Sequence, residues 1–486
     1  MHHVALQVCS WQYGEQLRDG RVIAVHATTV ELADTVSGMH YTVPHTSVRG
    51  HGITSSTKMV KWAAMFTIAH RALDKLCLDV HDNPLHRLRR SELWCGTIKL
   101  STSCSGIGCA EMATSYIKAA VDRYRQTHDG VGPTFAYEVV SCCERNVACR
   151  TVLKARNHAA DWHLYPNILS WLPRDTLDQI DTAEHTEQSP FETVKALFWA
   201  CQLNTKAPCD IHKFAACPLA TADVDITGSV CKDYSRRGNM LGRQGPWAKI
   251  LLTWLRLHDT ANTPILIHEN VSDFDVEVLT SVMSHKYHII SFPNVQPSDT
   301  GLTALGRPRR VDVLLHKDRV ELLGTLDDIR HTYTSLAEHV QGVTVDIDDL
   351  WCETSSAVFA HEMLRTANQN GGRVIDATTV HKFLADWRPL LSPVERANVN
   401  SYEALWRDKF GTDPTADHRA IYHLSQNATA RPTHANALGV MPTYTAGSSA
   451  RIYKSMYKRW FTGREKANTM LLPVYEEPCV KYRHTR

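Results

Sequence analysis

Cys231 is the residue best placed to do chemistry. It sits in Gly228-Ser-Val-Cys-Lys-Asp-Tyr-Ser-Arg-Arg-Gly238, directly after a short β-branched run. A lone cysteine is ordinarily a buried structural thiol. Here Lys232, Asp233, Arg236 and Arg237 surround it with polar, mostly basic groups, and nearby positive charge lowers a thiol pKa and favours the nucleophilic thiolate. A second apolar run ends in His268-Glu-Asn-Val271, so a carboxylate, Glu269, stands at a neighbouring strand tip. A thiolate and a carboxylate at adjacent tips can attack an electron-poor carbon and hold or pass the proton that the attack calls for.

Two further features read as a cofactor site. The run Thr97-Ile-Lys-Leu100 leads into Ser103-Cys-Ser-Gly-Ile-Gly-Cys-Ala-Glu111, a glycine turn opening a helix. Gly106 and Gly108 let the backbone approach a nucleotide-like ligand closely. The next strand ends at Cys143-Glu144, where a carboxylate can accept hydrogen bonds from both hydroxyls of a ribose. A surface glutamate after a strand is the plain alternative; its pairing with the glycine turn favours the cofactor.

These residues need a scaffold that brings several strand ends to one edge. Runs at Phe135–Ser141, Val224–Thr227, Ile265–His268, His288–Phe292 and Val311–Leu315 alternate with helical stretches, beginning with a helix from about Glu111 to Tyr124. That alternation predicts an α/β fold with a largely parallel sheet covered on both faces, binding ligands beyond the carboxyl ends of its strands.

The ordered set of motifs resembles the cytosine-5 DNA methyltransferase family. Cys104-Ser-Gly-Ile-Gly108 with Glu111-Met-Ala113 is similar to the family's Phe-Ser-Gly-Ile-Gly-Gly-Phe-Glu-Leu-Ala cofactor motif. Glu144 matches its ribose-binding glutamate. Leu164-Tyr-Pro-Asn-Ile168 resembles its third motif, with Asn167 where aspartate usually meets the adenine amino group, and Glu269-Asn270-Val271 matches its Glu-Asn-Val triplet. Gly306-Arg-Pro-Arg-Arg310 looks like the arginine motif that helps hold a flipped base. Met441-Pro-Thr-Tyr-Thr445, followed by Arg459-Trp-Phe-Thr-Gly-Arg-Glu465, resembles the ninth motif, which supports the target-recognition region. The matches keep the family order across residues 97–473.

The resemblance implies a Rossmann-like methyltransferase mixed sheet with S-adenosylmethionine as methyl donor, bound by Cys104, Ser105, Gly106, Ile107, Gly108, Glu144, Asn167 and Ile168. It implies a reaction in which Cys231 adds to carbon 6 of a flipped cytosine while Glu269 engages ring nitrogen 3. Asn270 orients the loop, and Arg309 or Arg310 helps hold the base. The expected partner is DNA and the expected compartment the nucleus. A tRNA substrate on the same fold, or an inactive homologue that binds chromatin, are the alternatives. Ser229-Val230-Cys231-Lys232 stands where the family has Pro-Pro-Cys-Gln, and losing two prolines predicts a looser catalytic loop. Met470-Leu-Leu-Pro473 stands for the ending of the ninth motif, and no tenth motif is recognisable before Arg486. A circular permutation, with Gly50-His-Gly52 and the following helix in its place, competes with a simple linker helix.

Residues 1–50 alternate short strands with turns, at Arg21–Val25, Thr29–Leu32 and Tyr41–Val43, and predict a small Tudor- or SH3-like β-barrel. Trp11, Tyr13 and Tyr41 could cage a methylated side chain of a histone tail, or simply fill a small core. Residues 51–94 predict a helical connector, with an amphipathic helix over Ser55–Leu78. The catalytic domain is expected over 95–317, a recognition region over 318–440, and a return to the catalytic domain over 441–486. The polar stretch Asp178–Ser189 reads as part of a long loop on the catalytic side, in reach of nucleic acid. Arg451, Tyr453, Lys454, Tyr457, Lys458, Arg459 and Trp460 read as a phosphate-facing surface or a solvated helix face.

Composition narrows the class. The 486 residues, 43% hydrophobic and 21% charged, exceed what one core holds and predict two or three folded domains. A formal charge of +2 neither demands nor excludes nucleic acid. Fourteen unevenly spaced cysteines, two of them adjacent, do not make a disulfide framework and are expected to be reduced. The 27 histidines are scattered, and no Cys-x-x-Cys pair meets a second at zinc-ligand spacing, so no metal is expected. No apolar stretch approaches a membrane span, and the chain is expected to be soluble and intracellular.

Overall fold

In the computed structural model the described residues are 6–13, 16–25, 29–34, 40–44, 48–50, 96–127, 134–157, 161–188, 190–235, 238–300, 306–322, 324–340, 351, 353, 355–370, 379–429, 440–441 and 451–469. The helix expected over Ser55–Leu78, the Met470–Pro473 ending and the aromatic cage side chains lie outside what is described. The chain divides into two compact units, one holding residues 69–299, 308–341 and 475–486, the other residues 1–68, 300–307 and 342–474.

In the first 50 residues, strands β1 (Leu6–Tyr13), β2 (Gln16–Val25), β3 (Thr29–Asp34), β4 (His40–Pro44) and β5 (Val48–Gly50) pair antiparallel in the order β4-β3-β2-β1-β5. The three expected strands are present, each with its β-branched run inside a longer paired segment.

The unit carrying the candidate site is built on seven strands. They are β6 (Thr97–Ser103), β7 (Ala136–Cys143), β8 (His163–Tyr165), β11 (Val224–Gly228), β12 (Ile265–Val271), β13 (Tyr287–Val295) and β14 (Arg309–His316), in the order β13-β14-β12-β11-β6-β7-β8. Six run in one direction; β14 alone is reversed, pairing antiparallel with β12 and β13. A separate two-strand hairpin, β9 (Lys206–Pro208) and β10 (Ala216–Pro218), precedes β11. The order turns back between β6 and β11, because the chain builds outward to β8 and then returns to the other side of β6. The crevice beyond the carboxyl ends of β6 and β11 is thus the topological switch point at which open α/β sheets hold ligands.

Helices α1 (Cys109–Thr127), α2 (Val147–Arg156), α3 (Arg174–Thr186), α4 (Phe191–Ala200), α5 (Ala248–Ala261), α6 (Glu277–Met283) and α7 (Leu326–Val340) complete this unit. Leu251, Leu252, Trp254 and Leu255 of α5 are buried with Leu266 of β12 and Leu314 of β14 in one core. Asp178–Thr186 is helical rather than the expected loop: Ile180 and Ala183 of α3 enter that core, and their spacing of three within a polar stretch hides the helix from a reading of composition. The unit also runs on past the expected boundary at 317, for Tyr333 of α7 packs on Phe292 of β13 with ring centroids 4.8 Å apart.

In the second unit, α8 (Ser356–Asn370) and α9 (Pro393–Phe410) stand with a small sheet of β15 (Ile421–His423), β16 (Ile452–Lys454) and β17 (Arg459–Trp460). Ser392 and Glu395 close a capping box at the start of α9, and Gly411 ends it at φ +67°, the left-handed conformation that glycine adopts without a steric penalty. Trp387, Trp406, Trp460, Tyr402, Tyr422 and Tyr453 form its aromatic core. Because β16 pairs with β15 and β17, residues 452–460 join this unit's sheet rather than the seven-stranded one.

The same packing corrects the expected phosphate-facing surface. Arg451, Tyr453, Lys454, Arg459 and Trp460 are all buried. Arg459 makes two hydrogen bonds to fully buried Glu465, at 2.7 and 2.8 Å, and lies 4.9 Å from the Trp351 ring. Arg451 pairs with buried Glu395. Sequence spacing sees alternating basic and aromatic residues but not that Glu465, six residues on, and Glu395, far back in the chain, turn in to make burying them tolerable.

Candidate functional site at the carboxyl edge of the sheet

The glycine turn follows β6 as expected. Cys104, Gly106 and Gly108 have φ of +53°, +57° and +86°, so the chain reverses sharply before entering α1. Ser105 donates its N–H to the Cys143 carbonyl at 3.1 Å, which ties the turn to the end of β7. A Cβ built on Gly106 would meet nothing within 4 Å, whereas one on Gly108 would come within 3.0 Å of Leu153. Gly106 therefore borders open space and Gly108 serves the packing of α2. Burial, then the charge of Glu144, pushes the Cys104 thiol up to about 12; at neutral pH this cysteine is an uncharged filler of the turn and no nucleophile.

Glu144 stands at the tip of β7. Its Oε2 accepts the Gly106 N–H at 2.7 Å and its Oε1 the Asn146 N–H at 2.6 Å. A carboxylate has about four acceptor positions, so two fixed backbone bonds aim the group and leave capacity for two ligand hydroxyls. Arg150 donates to the Glu144 carbonyl at 3.2 Å and, through Nε, to Asp210 at 2.8 Å. Asn167 follows β8 and caps the short helix Ile168–Trp171 by accepting the Leu169 N–H at 3.1 Å; Ile168 is buried beneath it. Glycine turn, carboxylate and Asn167 thus lie at the ends of β6, β7 and β8, and the open space at Gly106 with the aimed Glu144 fits a ribose-bearing cofactor.

Across the switch point, Gly228 at the end of β11 is in register with Glu269 on β12, and a Cβ on Gly228 would lie 3.4 Å from Glu269 Oε2. Three residues on, half-buried Cys231 begins a turn whose carbonyl accepts the Tyr234 and Ser235 N–H groups. Buried Asp233 anchors that loop by accepting the Trp247 N–H at 2.8 Å, and the Lys232 ammonium lies 4.7 Å from the Trp247 ring. Arg236 and Arg237 lie outside the described residues.

The two candidate arginines separate. Arg309 pairs with Glu269, Nε to Oε1 at 2.7 Å, whereas Arg310 is turned to fully buried Asp312, at 3.0 Å. Successive residues of a strand face opposite sides of a sheet, so only Arg309 shares the face of Glu269.

Behind Glu269 lies a chain of hydrogen bonds of which only the Asn270 end was expected. Asn270 Nδ2 donates to Ser229 Oγ at 2.8 Å, Ser229 Oγ lies 2.7 Å from His268 Nε2, and His268 Nδ1 lies 3.4 Å from Asp312 Oδ2. Ser291 and Arg310 donate to the other Asp312 oxygen. With the Ser229 hydrogen on His268 Nε2, the imidazole carries its own at Nδ1 and donates it to Asp312. Burial alone would raise the Asp312 pKa, but its donors more than offset this and hold it below the ordinary 3.8. The order Ser-His-Asp is that of a hydrolytic triad. Here His268 and Asp312 are fully buried and Ser229 already accepts from Asn270, so the group fixes the Cys231 loop to β12 instead of attacking a substrate.

A third cluster was also not expected. His163, Cys209, His212 and Cys217 bring one nitrogen or sulfur each within 4.8 Å of one another, which corrects the expectation that no metal-ligating group is present. The ligands were missed because His163 arrives from β8, 46 residues before Cys209, and the other three follow no paired Cys-x-x-Cys spacing.

The sheet order, with its one reversed strand, is the Rossmann-like mixed α/β arrangement expected from the sequence. No protein-family model matches the chain, and no curated protein matches it in sequence. Among solved structures it is similar to the Schizosaccharomyces pombe Dnmt2 methyltransferase, at 13% identity over 57% of this chain and 66% of that one, with a TM-score of 0.31. It is also similar to the Entamoeba histolytica methyltransferase EhMeth, at 11% identity over 56% and 66%, TM-score 0.29. A third is a putative DNA modification methyltransferase encoded within an Escherichia coli prophage, at 11% over 46% and 49%, TM-score 0.26. The matched part spans two thirds or less of each of these chains.

Proposed function

We propose that this chain is an S-adenosylmethionine-dependent methyltransferase that methylates carbon 5 of cytosine in DNA. The observation that carries the reading is the division of the carboxyl edge at the switch point. Glycine turn and aimed Glu144 lie on one side; Cys231, Glu269 and Arg309 lie on the other, at the ends of β11, β12 and the start of β14.

S-adenosylmethionine, when bound, supplies an electrophilic methyl group. Glu144 would hold its ribose hydroxyls, Gly106 would give its backbone room, and Asn167 and Ile168 would border its adenine. The Cys231 thiolate would add to carbon 6 of the cytosine ring while Glu269 engages nitrogen 3, which places electron density on carbon 5 for methylation. Loss of the carbon 5 proton to a base and expulsion of Cys231 would restore the ring. Arg309 orients Glu269 through the contact of its Nε with Oε1 at 2.7 Å. A base inside a duplex is out of reach of these groups, so the target nucleotide must be turned out, at a cost of a few kcal/mol.

The test is a trapping experiment with S-adenosylmethionine and either duplex DNA or tRNA containing 5-fluorocytosine, whose carbon 5 cannot lose a proton. A denaturant-stable complex with DNA that disappears in Cys231→Ala is the expected result. A complex with tRNA alone would replace the substrate, and no complex with either would refute the enzymatic reading.

A further inference from the structure

We infer that His163, Cys209, His212 and Cys217 form a structural zinc site that pins the β9–β10 hairpin to the edge strand β8. The geometry is that of a ready ligand set. Cys209 Sγ lies 3.8 Å from His163 Nδ1 and 3.4 Å from His212 Nδ1, and Cys217 Sγ lies 3.3 Å from His212 Nδ1. For zinc–sulfur and zinc–nitrogen bonds of about 2.3 and 2.0 Å at tetrahedral angles, the sulfur–nitrogen edge is about 3.5 Å. The three observed edges bracket that value. Two thiols and two imidazoles are a donor set that selects zinc over the hard, oxygen-seeking cations.

The surroundings match a metal-bound thiolate as well. The Leu164 N–H donates to Cys209 Sγ at 3.4 Å, a contact that stabilises negative charge on sulfur, and Cys209 is wholly buried. Between the ligands, Lys213 and Phe214 adopt φ of +52° and +64°, two successive left-handed residues without a glycine. They are the two central residues of the hairpin turn, closed by the Ala215 N–H on the His212 carbonyl at 3.0 Å, and a metal held by Cys209, His212 and Cys217 would close it a second time. Phe214 itself is exposed, so apolar packing does not hold the turn.

Four protein ligands leave no open coordination position, which makes the site structural rather than catalytic. Its influence nonetheless reaches the cofactor side of the sheet. Asp210, next to Cys209, accepts from Arg150 and Lys154, and Arg150 in turn donates to the carbonyl of Glu144. A fixed hairpin therefore fixes the guanidinium that buttresses the residue proposed to hold the ribose.

The test uses the full chain expressed with zinc supplied and measures bound metals by mass spectrometry. One zinc per chain is expected in the wild type, with loss of most of it in Cys209→Ser/Cys217→Ser. Should that variant fail to fold, the wild type exchanged with cobalt(II) gives an independent reading: thiolate-to-cobalt charge transfer in the near ultraviolet together with intense tetrahedral bands in the red. Wild-type chain without stoichiometric metal, a folded double variant that keeps its zinc, or a weak octahedral cobalt spectrum would each overturn the inference.

Discussion

Replacing Ser229 with alanine isolates the hydroxyl that ties the Cys231 loop to β12. The hydroxyl bridges His268 Nε2 at 2.7 Å and Asn270 Nδ2 at 2.8 Å, and these partners are 0% and 2% exposed. Alanine removes one oxygen and leaves two buried polar atoms without it. At about 1–3 kcal/mol for each orphaned group, with some relaxation, the loss is about 2–4 kcal/mol. A domain of this size moves its melting temperature by about 2–4 °C per kcal/mol, so a fall of about 4–16 °C is expected. In a chain of two units the relevant transition in differential scanning calorimetry is the one that S-adenosylhomocysteine shifts upward. The rate of 5-fluorocytosine adduct formation should fall alongside, because the Cys231 loop loses its tie to β12. A Ser229→Ala chain that melts and reacts like the wild type would refute the reasoning.

Arg309→Ala should separate stability from activity. The Glu269 side chain is 37% exposed, and a pair that open to water contributes about 1 kcal/mol at most; the melting temperature should hold within a few degrees while adduct formation falls at least tenfold, and equal loss of both would refute a role at the base. Arg459→Ala removes one partner of a buried pair and should destabilise its own unit by about 3–5 kcal/mol. In Arg459→Lys, if folded, the salt dependence of DNA binding measured by titration should keep its slope, because Arg459 faces Glu465 and not a phosphate. Acid titration supplies the fourth check. Burial would raise the Asp225 pKa, but His258, Ser101 and Trp254 together hold it, like that of Asp312, below the ordinary 3.8. A depressed carboxylate contributes stability that is complete above its unfolded value and is lost as pH falls through the folded one. Asp225→Asn and Asp312→Asn should therefore flatten the acid limb of a stability–pH curve followed by circular dichroism, and an unchanged acid limb would count against these networks.

Much of the sheet was legible, because buried parallel strands read as β-branched runs whose order along the chain is their chemistry. The expected strands at Val224–Thr227 and Ile265–His268 fell inside β11 and β12, which extend by one and three residues; pairing continues past the apolar stretch into Gly228 and Glu269. Strand β8 was read only as a motif, since three residues leave no periodicity to see. The helical α3 was taken for a loop because only Leu177, Ile180 and Ala183 anchor an otherwise polar sequence.

The sequence by itself determined the kinds of chemistry available: a glycine turn, a carboxylate at each of two strand tips, and a cysteine beside basic residues. It did so because those features are local, set by residue type within a few positions of one another. Only the tertiary structure set Arg309 beside Glu269 and Arg310 beside Asp312, buried most of the basic and aromatic run after 450 while leaving Tyr457 exposed, tied Ser229 to His268 and Asp312, and gathered His163 with Cys209, His212 and Cys217. Each of these depends on which distant residue comes to face which, and that is fixed by strand register and burial rather than by spacing along the chain.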